Sequence, residues 1–94
     1  MKKLPAMEQN QRLKTAILTV VEQQLRDRNP PETGHTLARL QDQGFPREKS
    51  LELIGYVVGM EVLEVVQDGR KFDRETFIKR LEALPTLPWE LEDG

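Results

Sequence analysis

Apolar residues recur along this chain with helical spacing. Leu13, Ala16, Ile17, Val20, Val21 and Leu25 follow i, i+3, i+4, i+7 intervals, one stripe of a 3.6-residue period. Lys14, Glu22, Gln23 and Arg26 take the opposite face. The spacing predicts a first helix over about 8–28. Asn29 is placed to cap a second, with Pro30 at its first position and Glu32 three residues on, as in a capping box. That helix, about 30–43, offers Leu37, Ala38 and Leu40 to its neighbours, and Gly44 is placed for the left-handed residue beyond its end. Phe45-Pro46 opens a third helix, 47–68, stopped by Gly69. Asp73 caps a fourth, 74–84, with Phe77, Ile78, Leu81 and Leu84 as its stripe and Pro85 as its end. Nothing alternates with a period of two. The expected fold is all-α, a compact bundle of four helices around a central apolar third helix, in one domain over 1–94. Residues 1–7 and 90–94 are expected to fray, and Pro85 to Trp89 to run as an extended tail.

The third helix holds the stretch SLELIGYVVGMEVLEVV, Ser50 to Val66, with a G-x-x-x-G at Gly55 and Gly59. Its longest charge-free apolar piece is Leu53 to Met60, and Glu52, Glu61 and Glu64 interrupt the rest. A membrane span needs roughly 20 apolar residues and tolerates a central carboxylate poorly, which excludes that reading. On a helical wheel one arc carries Ile54, Val65, Val58, Leu51, Val62, Gly55, Val66 and Gly59. Two glycines on that arc predict a close crossing by another helix. A second arc carries Leu53, Tyr56, Met60 and Leu63. Coverage this wide predicts a helix packed from several sides. The other helices are short or narrow-striped, so the second arc either finishes the core or, with Trp89, is the candidate partner-binding surface.

Composition changes this picture little. The chain has 94 residues, 37% apolar and 32% charged, and no cysteine, which removes disulfides, thiolate metal sites and a thiol nucleophile. The basic start, Met1 to Met7, lacks a following apolar stretch, so no secretory signal is expected and the expected location is a bacterial cytoplasm. A net charge of −2 gives no general drive toward nucleic acid or anionic lipid. The charge is uneven, +3 over 1–28 and −4 over 51–68, which suits attraction between helices of one fold.

Candidate chemistry is sparse. His35 is the single histidine, with no nucleophile or orienting carboxylate marked beside it, so a solvated or structural role is expected. Glu61 and Glu64 interrupt an apolar helix and require cationic partners, for which Arg39, Arg12 or Lys14 are candidates. A metal site joining them to His35 would have a poor ligand set, so no metal and no cofactor are expected. Arg70, Lys71, Arg74, Lys79 and Arg80 lie around the fourth helix with Asp73, Glu75 and Glu82 interleaved, which predicts a solvated, ion-paired face. No phosphate loop, catalytic triad signature or metal motif is present. Trp89 follows a Pro-x-x-Pro, and folding back onto the domain competes with capture by a partner.

Two resemblances bear on function. Leu37-Ala-Arg-Leu40, followed by Gly44-Phe45-Pro46-Arg-Glu-Lys-Ser-Leu51, resembles the first helix and Gly-Phe turn of ubiquitin-associated domains. The resemblance spans about 33–68 and implies ubiquitin-type recognition through Gly44, Phe45 and Pro46. Gln43 stands where that family usually has methionine, and the family's third helix would require a break near Gly59. The same helix–turn–helix is also similar to DNA-binding modules, although the acidic Leu51 to Asp68 segment suits a recognition helix poorly. More broadly, Asn29-Pro-Pro-Glu32, Gly44-Phe45, Gly69, Phe72-Asp73 and Leu84-Pro85 resemble a style of uncharacterised small bacterial all-helical proteins, which implies the fold and no activity. The expected function is a non-enzymatic helical protein–protein interaction module whose partner is another protein or a second copy in a homodimer. Apolar helix surface around Tyr56, Met60 and Trp89 would be buried in that association. A ubiquitin-associated-like binding domain and a helix-turn-helix nucleic-acid regulator are the alternatives.

Overall fold

The apolar stripes become helices. The structure, a computed structural model, describes residues 11–91. They form α1 (Gln11–Asp27), α2 (Pro31–Asp42), α3 (Arg47–Asp68), α4 (Arg74–Ala83) and a one-turn α5 (Pro88–Leu91), with no strand among the described residues. The expected start of the first helix near residue 8, and the frayed ends expected at 1–7 and 92–94, lie outside the described residues. No helix of the described residues is long and apolar enough to cross a membrane.

Local chemistry sets the helix ends. Arg28 turns left-handed after α1 (φ 53°), and the Asn29 N–H donates back to the Gln24 carbonyl at 3.1 Å. Asn29 is not the cap of α2, as its side chain suggested. The flanking residue is Pro30, extended at φ −75° and ψ 152°, and Pro31 opens the helix. A residue before proline is pushed to extended ψ, so the second proline moves the boundary by one position. Glu32 then falls short of the capping-box position and pairs with Arg74 on α4 at 3.3 Å. Gly44 and Gly69 adopt the expected positive φ, at 103° and 68°. Asp73 caps α4 as predicted, its Oδ1 accepting from the Glu75 and Thr76 N–H groups. The far end of α4 is closed by Arg39, which donates to the carbonyls of Leu84 (2.8 Å) and Leu81 (3.0 Å).

The segment after Pro85 is not an extended tail. Pro88 begins α5, and Glu90 reaches back to accept from the Leu87 N–H at 2.8 Å. Proline at the first position and glutamate at the third are helix-start chemistry, and here they fold one turn that includes Glu90 and Leu91. Pro88 is buried, and Trp89 stands edge-on to Tyr56 with ring centroids 5.4 Å apart.

The core joins Ile17 and Val21 of α1, Leu40 of α2, Leu51, Leu53, Ile54, Val57 and Val58 of α3, Phe77 and Leu81 of α4, and Leu84. Every other helix touches α3, so the central position expected of it holds. α1 crosses at Gly55, where an added Cβ would lie 3.6 Å from Ile17 Cγ2 and 3.7 Å from Leu18 Cδ2. The arc expected to be buried divides along its length. Leu51, Ile54, Gly55, Val58 and Gly59 are buried, whereas Val62, Val65 and Val66 are 43%, 41% and 73% exposed. The 22-residue α3 outruns the 10-residue α4, and its last turns carry these exposed valines.

Candidate functional site

Those emerging valines make a groove. Val62, Val65 and Val66 of α3 form one side, Val20 and Gln24 of α1 the other, and Phe72 from the α3–α4 loop closes one end. Val58 and Phe77, buried members of the core, form the floor. The recess holds about 240 Å³ and is lined almost wholly by carbon, Gln24 and Glu61 being its polar members. Five of the six large apolar side chains most exposed among the described residues lie here: Val20, Val62, Val65, Val66 and Phe72. Scattered exposed apolar residues need no explanation, but a contiguous set around a recess does.

Behind Phe72 lies a second recess of about 280 Å³, walled by Glu61, Glu64, Val65, Arg70, Lys71, Phe72, Asp73 and Thr76. It covers a buried ion cluster. Arg80 of α4 donates through Nη1 to Glu61 Oε2 at 2.7 Å and to Glu64 Oε1 at 2.9 Å, and through Nη2 to Glu64 Oε2 at 3.0 Å. Side-chain exposure is 5% for Arg80, 9% for Glu61 and 16% for Glu64. One guanidinium therefore serves two carboxylates. Glu64 accepts from both guanidinium nitrogens, and that contact holds its carboxyl below the usual range. Burial pushes the Glu61 carboxyl up to about 7; Arg80 opposes the rise, while Glu64 and Asp73 reinforce it. Glu61 Oε1 is buried with no donor to it among the described residues, a position suited to a carboxyl proton shared with Glu64.

The sequence-derived candidates fall in several places. Leu53, 5% exposed, is core. Tyr56 and Trp89 pack on each other, each half-buried, and Met60 and Leu63 are also half-buried. The greatest apolar exposure on α3 itself lies instead at Val62, Val65 and Val66. Gly44 and Pro46 are exposed at the α2–α3 turn, but Phe45 packs partly against the core, and α3 runs unbroken through Gly59. His35 is exposed on α2 in a separate recess with Leu25, Arg28, Pro31 and Gly34, so the structure does not bring it to Glu61 and Glu64. Among the described residues no three histidine, aspartate or glutamate side chains are grouped so as to hold a metal ion.

The partner of Glu61 and Glu64 is the main correction. Arg39 is committed to the end of α4, and Lys14 pairs with Glu52 at 3.4 Å. Arg80, assigned from the sequence to the outer face of the fourth helix, is 4% exposed and points inward. A signal for this was available. Arg80 sits three residues after Phe77 and four before Leu84, at the border of the apolar stripe, just as Glu61, three after Val58 and four before Val65, borders the stripe of α3. Compared with known proteins, the chain matches no protein-family model, no curated protein and no solved structure.

Proposed function

We propose that this protein is a non-enzymatic interaction module, and that the valine groove between α1 and α3 is the surface through which it associates with a second copy of itself. The observation that carries this reading is the concentration of exposed carbon around one recess in a chain that is 32% charged. The face suits its own likeness. Val66 and Phe72, at 73% and 57% exposure, stand beside the buried Val58 and Phe77, so a two-fold axis would set each copy's exposed side chains over the other's recess. The adjoining edge carries both signs within four residues, Asp68 and then Arg70 and Lys71. Asp68 and Lys71 are exposed at that edge, where opposite charges can meet across such an axis. A core this small also gains stability by oligomerising.

Sedimentation equilibrium across a wide concentration range tests the reading. The expected result is a reversible monomer–dimer equilibrium, lost in Val65→Glu with helicity retained, because Val65 is on the exposed turns and its replacement opens no cavity. A wild-type mass that stays monomeric at every concentration removes the self-association claim. An unaltered equilibrium in Val65→Glu would place the contact elsewhere, with the arc of Tyr56, Met60 and Leu63 next in order.

A further inference from the structure

Glu61 belongs to both recesses, walling the valine groove on one side and the polar pocket on the other. The charged groups around it come from three places. Glu64 shares α3, Arg80 reaches in from α4, and Arg70, Lys71 and Asp73 line the polar pocket from the α3–α4 loop. α1 contributes the uncharged Val20 and Gln24, and α2 contributes nothing to either recess among the described residues. The cluster thus has one guanidinium between two mostly buried carboxylates, with Oε1 of the deeper carboxylate lacking a donor among the described residues.

We propose that closing the groove with a second copy drives a proton onto the Glu61–Glu64 pair, so that association through this face is strengthened by acid and weakened by base. The inference rests on the groove being the self-association surface. An incoming valine face replaces the water that still reaches the wall of the groove, and loss of water disfavours the charged carboxylate. If binding raises proton affinity, protons raise binding affinity by the same factor. In the free chain burial already holds Glu61 at about 7, so the effect falls in a neutral to mildly alkaline window. Well below it the carboxyl is protonated whether or not the groove is covered, and association is flat. Above it each copy must take up a proton to associate. A two-fold dimer takes up two, so its dissociation constant rises by up to about a hundredfold per pH unit.

The test is sedimentation equilibrium of the full chain at pH 6, 7 and 8. The wild-type dissociation constant is expected to rise at least about tenfold from pH 6 to pH 8. Glu61→Gln, which carries the same shape without the ionisation, should give one constant at all three values. Glu64→Gln leaves one carboxylate facing one guanidinium, and the onset of weakening should move to lower pH. His35→Gln, in a separate recess, should keep the wild-type profile. A dimer equally tight at pH 6 and pH 8, or a Glu61→Gln protein that keeps the wild-type slope, overturns the proton coupling and leaves the groove reading standing. Absence of a dimer even at pH 6 overturns the groove reading itself. Should Glu61→Gln not fold, the wild-type and Glu64→Gln profiles decide the matter without it.

Discussion

Arg80 Nη1 lies 2.7 Å from Glu61 Oε2, and both side chains are almost wholly out of water. Breaking such a pair from one side leaves uncompensated buried charge, which is far more destabilising than the pair is stabilising. Removing Arg80 strands Glu61 and leaves Glu64 only the longer contact from Arg70, at 3.9 Å. Arg80→Ala is expected to destabilise the fold by about 3–5 kcal/mol, measured by urea denaturation. Arg80→Lys should recover little of this, because an ammonium cannot reproduce the forked contact with both oxygens of Glu64.

Stability should fall as pH rises through neutrality. The Glu61 carboxyl has a folded-state pKa of about 7 against an ordinary value of 4.5, so between these values the folded state holds a proton the unfolded state has released. Its contribution is complete below about 4.5 and is lost as pH climbs through about 7, on the order of 3 kcal/mol in all. Glu52, Glu64 and Asp73, all lowered in the folded state, act in the opposite sense, and their contribution is lost only as pH drops below the ordinary carboxylate range. Denaturation midpoints taken from pH 5 to pH 8 should therefore decline in the wild type and stay level in Glu61→Gln.

Arg39 does the work of a cap on a helix to which it does not belong. Its two donors satisfy the carbonyls of Leu81 and Leu84 at the end of α4 and tie α2 to that helix. Arg39→Met keeps the aliphatic stem and removes the donors. The expected loss is about 2 kcal/mol, from unsatisfied carbonyls and the missing cation at the negative end of the helix dipole. Hydrogen exchange should show the amides of α4 opening more readily than those of α1.

The two glycines at and after the centre of α3 should respond in opposite ways to alanine. A methyl group at Gly55 meets Ile17 and Leu18 at ordinary contact distances. Gly55→Ala is thus expected to be neutral or to stabilise by up to about 1 kcal/mol through helix propensity, despite lying in a G-x-x-x-G. Gly69 has open space around it but a φ of 68°. Gly69→Ala is expected to cost about 1 kcal/mol from backbone conformation alone. Thermal melts of the two variants provide the comparison.

Most of the bundle is legible in the period of the apolar residues. Ile17, Val21, Ile54, Val58, Phe77 and Leu81 occupy the faces their spacing assigns, and Gly44, Gly69 and Asp73 end or start helices for the stereochemical reasons their residue types suggest. Two kinds of fact were out of reach of that reasoning. Where one helix stops covering another depends on the crossing point and relative length, so the exposure of Val62, Val65 and Val66 could not be read from a wheel that treats every turn of α3 alike. Charge alone assigns Arg80 to the solvent face, which conceals its pairing with Glu61 and Glu64. Position at the border of an apolar stripe, not charge, marks such residues as inward, and opposite charges bordering two facing stripes mark each other as partners.

The edge-on contact between Trp89 and Tyr56 has a practical consequence. These are the single tryptophan and the single tyrosine of the chain, with ring centroids 5.4 Å apart. At that separation light absorbed by the phenol passes to the indole, so the native protein should emit almost wholly as tryptophan. Detachment of the last helical turn should restore tyrosine emission. The chain thus carries its own optical gauge of whether its C-terminal segment is seated on the third helix, and no label is needed to read it.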